Sequence, residues 1–320
     1  MPVTREDTAA AYRMFLGREA SEHETNAWLH VPTLADLRRL FIASAEFQSG
    51  LARAAAEGRS THNRPSCDVP AISVEWETDA DTQARLVERV AQTWTAIGRE
   101  EPHWSVLSSE AFKSENIEQN SGRFYESGAD DAHLVMAILA RCGLSSVDLP
   151  RAVEYGCGVG RVTSYLADAF SELVGIDISE SHLALAKERV TRNGCNNVRL
   201  VLARAPDFGM VAPFDLWFSY IVLQHNPPPI IALVLRKMFS LLAPGGVAIF
   251  QVTTYLPGYH FSVAEYLGAP MAGTIEVHCL PQQVIFQLAH DSGCVPLEAR
   301  EDLAMGYPWL SNLFIFQKQK

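Results

Sequence analysis

The residues with the clearest chemical potential lie between positions 154 and 177. Glu154 is followed by Gly156, Gly158 and Gly160, three glycines at alternate positions in Glu-Tyr-Gly-Cys-Gly-Val-Gly-Arg. Glycine suits a backbone that turns tightly and passes a ligand with no Cβ in the way. The helix expected beyond offers free N–H groups and the positive end of its dipole. Seventeen positions after Gly160 comes Asp177, in Val-Gly-Ile-Asp-Ile-Ser. An acid there can accept two hydrogen bonds from vicinal ribose hydroxyls, and N-capping the next helix is its structural alternative. His225, in Val-Leu-Gln-His-Asn-Pro-Pro, has an ordinary pKa of about 6.5, which suits removal of a hydroxyl proton. Shaping a pocket is the alternative use of that ring. His278 is a second titratable candidate. Glycine spacing separates two ligands that Asp177 would serve equally. A dinucleotide's pyrophosphate calls for G-x-G-x-x-G, whereas this loop is G-x-G-x-G with Arg161 next.

Such residues need rigid elements beneath them. From Arg151 the chain alternates strand and helix patterns: Arg-Ala-Val-Glu-Tyr-Gly, then 160–170, then Glu-Leu-Val-Gly-Ile-Asp-Ile-Ser, then 180–193. Further strands are expected at 198–203, 215–220, 245–253, 295–303 and 311–318, with helices near 228–242 and 280–293. This alternation implies a mostly parallel sheet covered on both faces. Upstream, Leu86, Val90, Trp94 and Ile97 mark one side of an amphipathic helix over 81–97. Residues 99–129 read as irregular, and Asp130 or Asp131 as the cap of a helix stopped by Gly143. Residues 1–57 read as helical, with Thr33 an N-cap, and 58–70, rich in Gly, Ser, Asn and Pro, as a linker.

Composition narrows the field. The 320 residues carry 26 Lys and Arg against 37 Asp and Glu, a formal charge of −11, which disfavours a phosphate-backbone partner. No apolar run reaches the roughly 18 residues of a membrane span, and the first residues lack a secretory core. Six scattered cysteines form no C-x-x-C pair and no zinc spacing, which points to free thiols in a cytoplasmic protein and to no metal.

The pattern Glu154-x-Gly156-x-Gly158-x-Gly160 resembles motif I of the class I S-adenosylmethionine-dependent methyltransferases. Gly-Ile-Asp-Ile-Ser at 175–179 is similar to their second motif, Phe-Asp-Leu-Trp-Phe-Ser-Tyr at 214–220 to their fourth, and Leu-Ala-Pro-Gly-Gly at 242–246 to the turn before strand five. The resemblance covers about residues 131–320. It implies a doubly wound, Rossmann-like, seven-stranded, mostly parallel α/β sheet closed by an antiparallel edge hairpin, with S-adenosyl-L-methionine as cofactor. It also implies that Glu154 and the glycines hold the amino-acid end, Asp177 and Ile178 the ribose side, and Ser219, Tyr220 and Gln224 the methyl side. The third motif departs from the family, with Ala203-Arg204-Ala205 where an acid or amide is usual and Asp207 as a substitute. Residues 71–130 would form a lid over the core at 131–320, with Tyr125 and Glu126 as contacts, and Tyr255 would face the acceptor. Asn226-Pro227-Pro228 continues with Pro229 rather than an aromatic residue, so it reads as a helix entry rather than a base-flipping tetrad. The first 57 residues, an all-α domain, are similar to a small bacterial helical module found beside glycosyltransferases. The expected function is methyl transfer, at oxygen, to a small-molecule or saccharide acceptor, in a surface-polysaccharide context. An NAD(P)-dependent oxidoreductase and a non-catalytic interaction protein with a methyltransferase-like core are the competing expectations.

Overall fold

In a computed structural model of the chain, the residues described are 3–16, 18–47, 49, 70–210, 213–306 and 308–320. The expected linker lies outside them except for Pro70, as do Cys67 and residues 51–57 of the helical module. The chain divides into two compact units, residues 1–69 and 70–320.

The first unit is helical because its polar residues cap and its apolar residues recur at helical spacing. Thr4 and Asp7 form a capping box on Arg5–Ala11, and Ser21 and Glu24 do the same on Glu22–Ala27. Thr33 caps Leu34–Ala43 by accepting from the Asp36 N–H. Tyr12, Val31, Leu37 and Phe41 are buried together, with Trp28 packed against them.

The second unit is built on strands β1 (Ser73–Val74), β2 (Arg151–Tyr155), β3 (Glu172–Asp177), β4 (Val198–Leu202), β5 (Phe214–Ser219), β6 (Leu242–Tyr255), β7 (His260–Phe261), β8 (Cys294–Asp302) and β9 (Leu310–Lys318). Seven of them form one sheet in the order β4-β3-β2-β5-β6-β9-β8. β2 to β6 are mutually parallel, and β9 runs antiparallel to both β6 and β8. β1 and β7 form a separate parallel pair, Ser73 opposite His260. Side chains alternate across each strand, so one sheet yields two cores. Phe314 and Phe316 join Trp217 and Phe250 on one face. Leu313 and Ile315 join Leu216 and Ile249 on the other.

Three local expectations need correcting. The segment 99–129 contains a helix, Ile117–Glu126, because Phe124, fully buried on Phe112 and Val159, anchors its inner face. The next helix spans Gly128–Arg141 and starts ahead of Asp130 and Asp131, with Ser127 at its N-cap. A Cβ on Gly128 would lie 2.1 Å from the Arg161 carbonyl oxygen, so only glycine lets the helix begin that close. Beyond Gly160 the α-helix is one turn, Thr163–Leu166, rather than the full stretch to residue 170.

Candidate active site

β2 lies between β3 and β5, so strand order reverses at the end of β2, where open parallel sheets form a crevice. A cavity of about 780 Å³ opens there, inside the roughly 300–1,000 Å³ range of ligand sites.

One half of this cavity is backbone and charge. Gly156, Gly158 and Gly160 have φ of 80°, 53° and 77°, the left-handed region that favours glycine. A Cβ on Gly156 would sit 2.3 Å from Val222 Cγ2, and one on Gly158 2.9 Å from Val106 Cγ2. A Cβ on Gly160 would instead lie 3.1 Å from Ala186 Cα, on the helix Glu180–Arg192. Asp177, at the end of β3, accepts from the Gly158 N–H at 2.8 Å and the Ser179 N–H at 2.9 Å. His182 Nδ1 is 3.4 Å from Asp177 Oδ1, and its Nε2 is 2.9 Å from Ser105 Oγ. The carboxylate is therefore fixed in orientation and tied to the loop it faces.

Glu154 is buried at the cavity wall, where it accepts from Thr163 Oγ1 at 2.6 Å. Burial raises its pKa from the ordinary 4.5 to about 8, against the lowering effects of the Thr163 hydroxyl and Arg161. Arg161 pairs with Asp131 and donates to Ser127 Oγ at 3.2 Å. Its Nε is buried without a partner, which is costly unless a ligand accepts from it.

The other half is apolar and comes from distant segments. Val90 and Trp94 of the helix Ala80–Glu100, Ile221 beyond β5, Ile275 and Val277 after β7, and Met305 after β8 line it. His225 is its titratable group, with its ring 5.4 Å from the Trp94 ring. His225 Nδ1 is 2.8 Å from the Glu276 carbonyl oxygen. A carbonyl only accepts, so Nδ1 carries the proton and a neutral ring keeps its lone pair on Nε2. Burial lowers the pKa of this ring below 6.5, partly offset by the Glu276 bond. Ile221 holds a φ of 54°, which is strained for a β-branched residue, and its N–H donates to Gln251 Oε1 at 3.0 Å.

The cavity brings together seven of the residues singled out from sequence: Glu154, Gly156, Gly158, Asp177, Ile178, Tyr220 and His225. The others lie off its wall. Gly160 packs the helix. Ser219 Oγ donates to the Tyr155 carbonyl at 2.9 Å and ties β5 to β2. Gln224 is buried, and its Nε2 approaches Met305 Sδ at 3.2 Å. His278 is buried with Nδ1 3.0 Å from the Tyr259 hydroxyl, and desolvation, helped by His225, lowers its pKa to about 4. Tyr125 touches His103 at 3.3 Å and carries Arg189 over its ring, while Glu126 is exposed. The Tyr255 hydroxyl donates to the Pro70 carbonyl at 3.2 Å. Arg204 turns to Glu180 at 3.1 Å, and Asp207 accepts from the Gly209 N–H at 2.9 Å, so neither faces the cavity; Ala203 does. Sequence reasoning missed Asp131, Arg161 and His182 as site residues. Arg161 directly after the glycines was their visible signal. Among the described residues no His, Cys, Asp and Glu cluster could hold a metal, and no helix is long and apolar enough to cross a membrane.

These groups fit S-adenosylmethionine. The glycine cradle has room where a Cβ would intrude, the acids suit an ammonium and a sulfonium, and the unpartnered Arg161 Nε suits a carboxylate.

Residues 152–246 match the family described as a methyltransferase domain. The chain is 33% identical over 142 residues to trans-aconitate 2-methyltransferase of Methylobacterium radiotolerans, covering 43% of this chain and 51% of that protein. It is 34% identical over 121 residues to ubiquinone biosynthesis O-methyltransferase of Methylococcus capsulatus, covering 37% of this chain and 50% of that one. It thus spans about half the length of the curated relatives it matches. In fold it is similar to magnesium protoporphyrin IX methyltransferase from Synechocystis PCC 6803, crystallised with SAH, with a TM-score of 0.51 at 19% identity. That likeness covers 72% of this chain and 99% of the other. With the sheet order, the glycine loop and Asp177 in place, residues 152–246 form a methyltransferase domain, and the unit around them has the fold of the class I S-adenosylmethionine-dependent methyltransferases.

Proposed function

We propose that the chain transfers a methyl group from S-adenosylmethionine to a hydroxyl of a small-molecule acceptor, with His225 as the base. The observation that carries this reading is the His225–Glu276 bond. It leaves Nε2 as the ring nitrogen with a lone pair, on a residue that lines the cavity that also contains the glycine loop. Oxygen as the receiving atom draws support from the relatives named ubiquinone biosynthesis O-methyltransferase.

Asp177 takes the ribose hydroxyls, Glu154 the ammonium and Arg161 Nε the carboxylate. The bound cofactor supplies an electrophilic methyl carbon on a sulfonium, whose C–S electron pair returns to sulfur as the acceptor oxygen bonds to carbon. The protein aligns the hydroxyl in line with that bond and takes its proton on His225 Nε2. Burial keeps this ring neutral at pH 7, so the base is ready before the acceptor arrives. Tyr220 is held by Asp302, to which its hydroxyl donates at 2.9 Å, and forms part of the wall near the transferred methyl.

The test is a coupled assay of S-adenosylhomocysteine formation together with calorimetry of the cofactor. Binding in the micromolar range, with turnover that His225→Gln removes, is the expected result. No binding at millimolar cofactor overturns the reading.

A further inference from the structure

The charged side chains of the cavity wall are not spread evenly. Asp130, Asp131, Glu154, Arg161 and Asp177 all belong to the glycine-loop half. Trp94, whose ring is 5.4 Å from that of His225, and Ile221, Ile275, Val277 and Met305 line the same cavity and carry no charge. Arg161 is the one Lys or Arg among the described lining residues; its terminal nitrogens engage Asp131 and Ser127, and its unpartnered Nε is the atom assigned above to the cofactor's carboxylate. Two of the polar side chains on the segment that carries His225 are also committed. The Tyr220 hydroxyl donates to Asp302, and Asn226 Nδ2 donates to the Val222 and Leu223 carbonyls.

Resting on the methyl-transfer reading above, we propose that the acceptor is an apolar, flat ring bearing a hydroxyl, of the phenol class. Its ring lies against Trp94 and the aliphatic side chains, and its hydroxyl meets His225 Nε2. A saccharide brings several hydroxyls, and each one buried here without a partner opposes binding. A carboxylated or phosphorylated acceptor meets no free cation and several acids. An aromatic ring gains from apolar contact and from an offset or tilted packing on Trp94. The phenol loses its proton to His225 Nε2, its oxygen bonds to the methyl carbon as the C–S bond breaks with its electron pair returning to sulfur, S-adenosylhomocysteine leaves as the neutral thioether, and the proton passes from the imidazolium to solvent.

The experiment uses the full chain. Turnover is measured with S-adenosylmethionine and three probes, 4-butylcatechol, methyl glucoside and citrate. Thermal shifts of the S-adenosylhomocysteine-loaded protein are measured with the same probes. The expected result is a kcat/KM for 4-butylcatechol at least about 100-fold above either other probe, with a shift for that probe alone. Trp94→Ala then raises its KM about 10-fold or more, with cofactor affinity unchanged. Ile275→Thr, at a partly exposed position, raises the same KM by a smaller factor and guards against misfolding of the Trp94 variant. Comparable or greater turnover of methyl glucoside or citrate overturns the proposal. So do unchanged KM values in folded variants, and so does an absence of both turnover and shift with 4-butylcatechol in protein that binds S-adenosylhomocysteine. Failure to bind S-adenosylhomocysteine overturns instead the methyl-transfer reading beneath it.

Discussion

The two halves of the cavity are built in opposite ways. The glycine-loop half comes largely from consecutive residues at the ends of β2 and β3, and backbone N–H groups and carboxylates dominate it. The His225 half is assembled from four segments more than a hundred residues apart at the extremes, and apolar side chains dominate it. The first half suits a ligand that never changes, the second one that can be exchanged by altering loop residues on an unchanged sheet.

The largest expected effect breaks the first half. Gly156→Ala combines a positive φ with a Cβ placed on Val222, so cofactor affinity falls by about 100-fold or more, read by calorimetry. Gly143→Ala is the matched control. It shares a φ of 70° with nothing within 4 Å, so it costs about 1–2 kcal/mol of stability and leaves cofactor binding alone. Next, His225→Gln lowers kcat by about 10²–10⁴-fold with cofactor affinity unchanged. In the wild type, kcat falls along an acid limb that lies below pH 6.5, because burial lowers the pKa of this ring. The variant's residual rate lacks that limb.

Two pH effects of opposite sign sharpen the contrast further. The folded pKa of Glu154 is raised to about 8 from 4.5. Its contribution to stability is full below about pH 4.5 and is lost as pH rises to about 8. Glu154→Gln keeps the Thr163 hydrogen bond and removes this loss, so the cofactor-free variant gains melting temperature over wild type at pH 8. His278 behaves in reverse, with its folded pKa lowered to about 4 from 6.5. The unfolded chain binds its proton first, so stability falls by about 3 kcal/mol as pH drops from 6.5 to 4. His278→Phe removes that slope in denaturant titrations.

The contrast also explains what could be read before the fold was seen. The sheet, its order of strands and helices, and the residues from Glu154 to Asp177 are legible because each lies next to its partners in the chain. Asp177 faces the Gly158 N–H only 19 positions away. The acceptor half is illegible because Trp94 meets His225 across 131 positions, and no local pattern records that contact. His225 was visible as a base by type, but its tautomer depends on a carbonyl 51 residues further on. Tyr125, Glu126 and Tyr255 show the converse. Their types suit a pocket, yet packing on His103 and Arg189, exposure to solvent and a bond to Pro70 place them elsewhere. The helix at Ile117–Glu126 escaped because Ser, Asn and Gly break its polar face, while the single buried Phe124 sets its inner one.

The most direct test of the central claim is calorimetry of S-adenosylhomocysteine binding to the full chain and to its Asp177→Asn variant. One saturable site is predicted, with affinity about 10–100-fold weaker in the variant, as expected for losing a charge-assisted acceptor of two hydroxyls. No heat of binding at millimolar ligand, or equal affinity in the two proteins, would contradict the account.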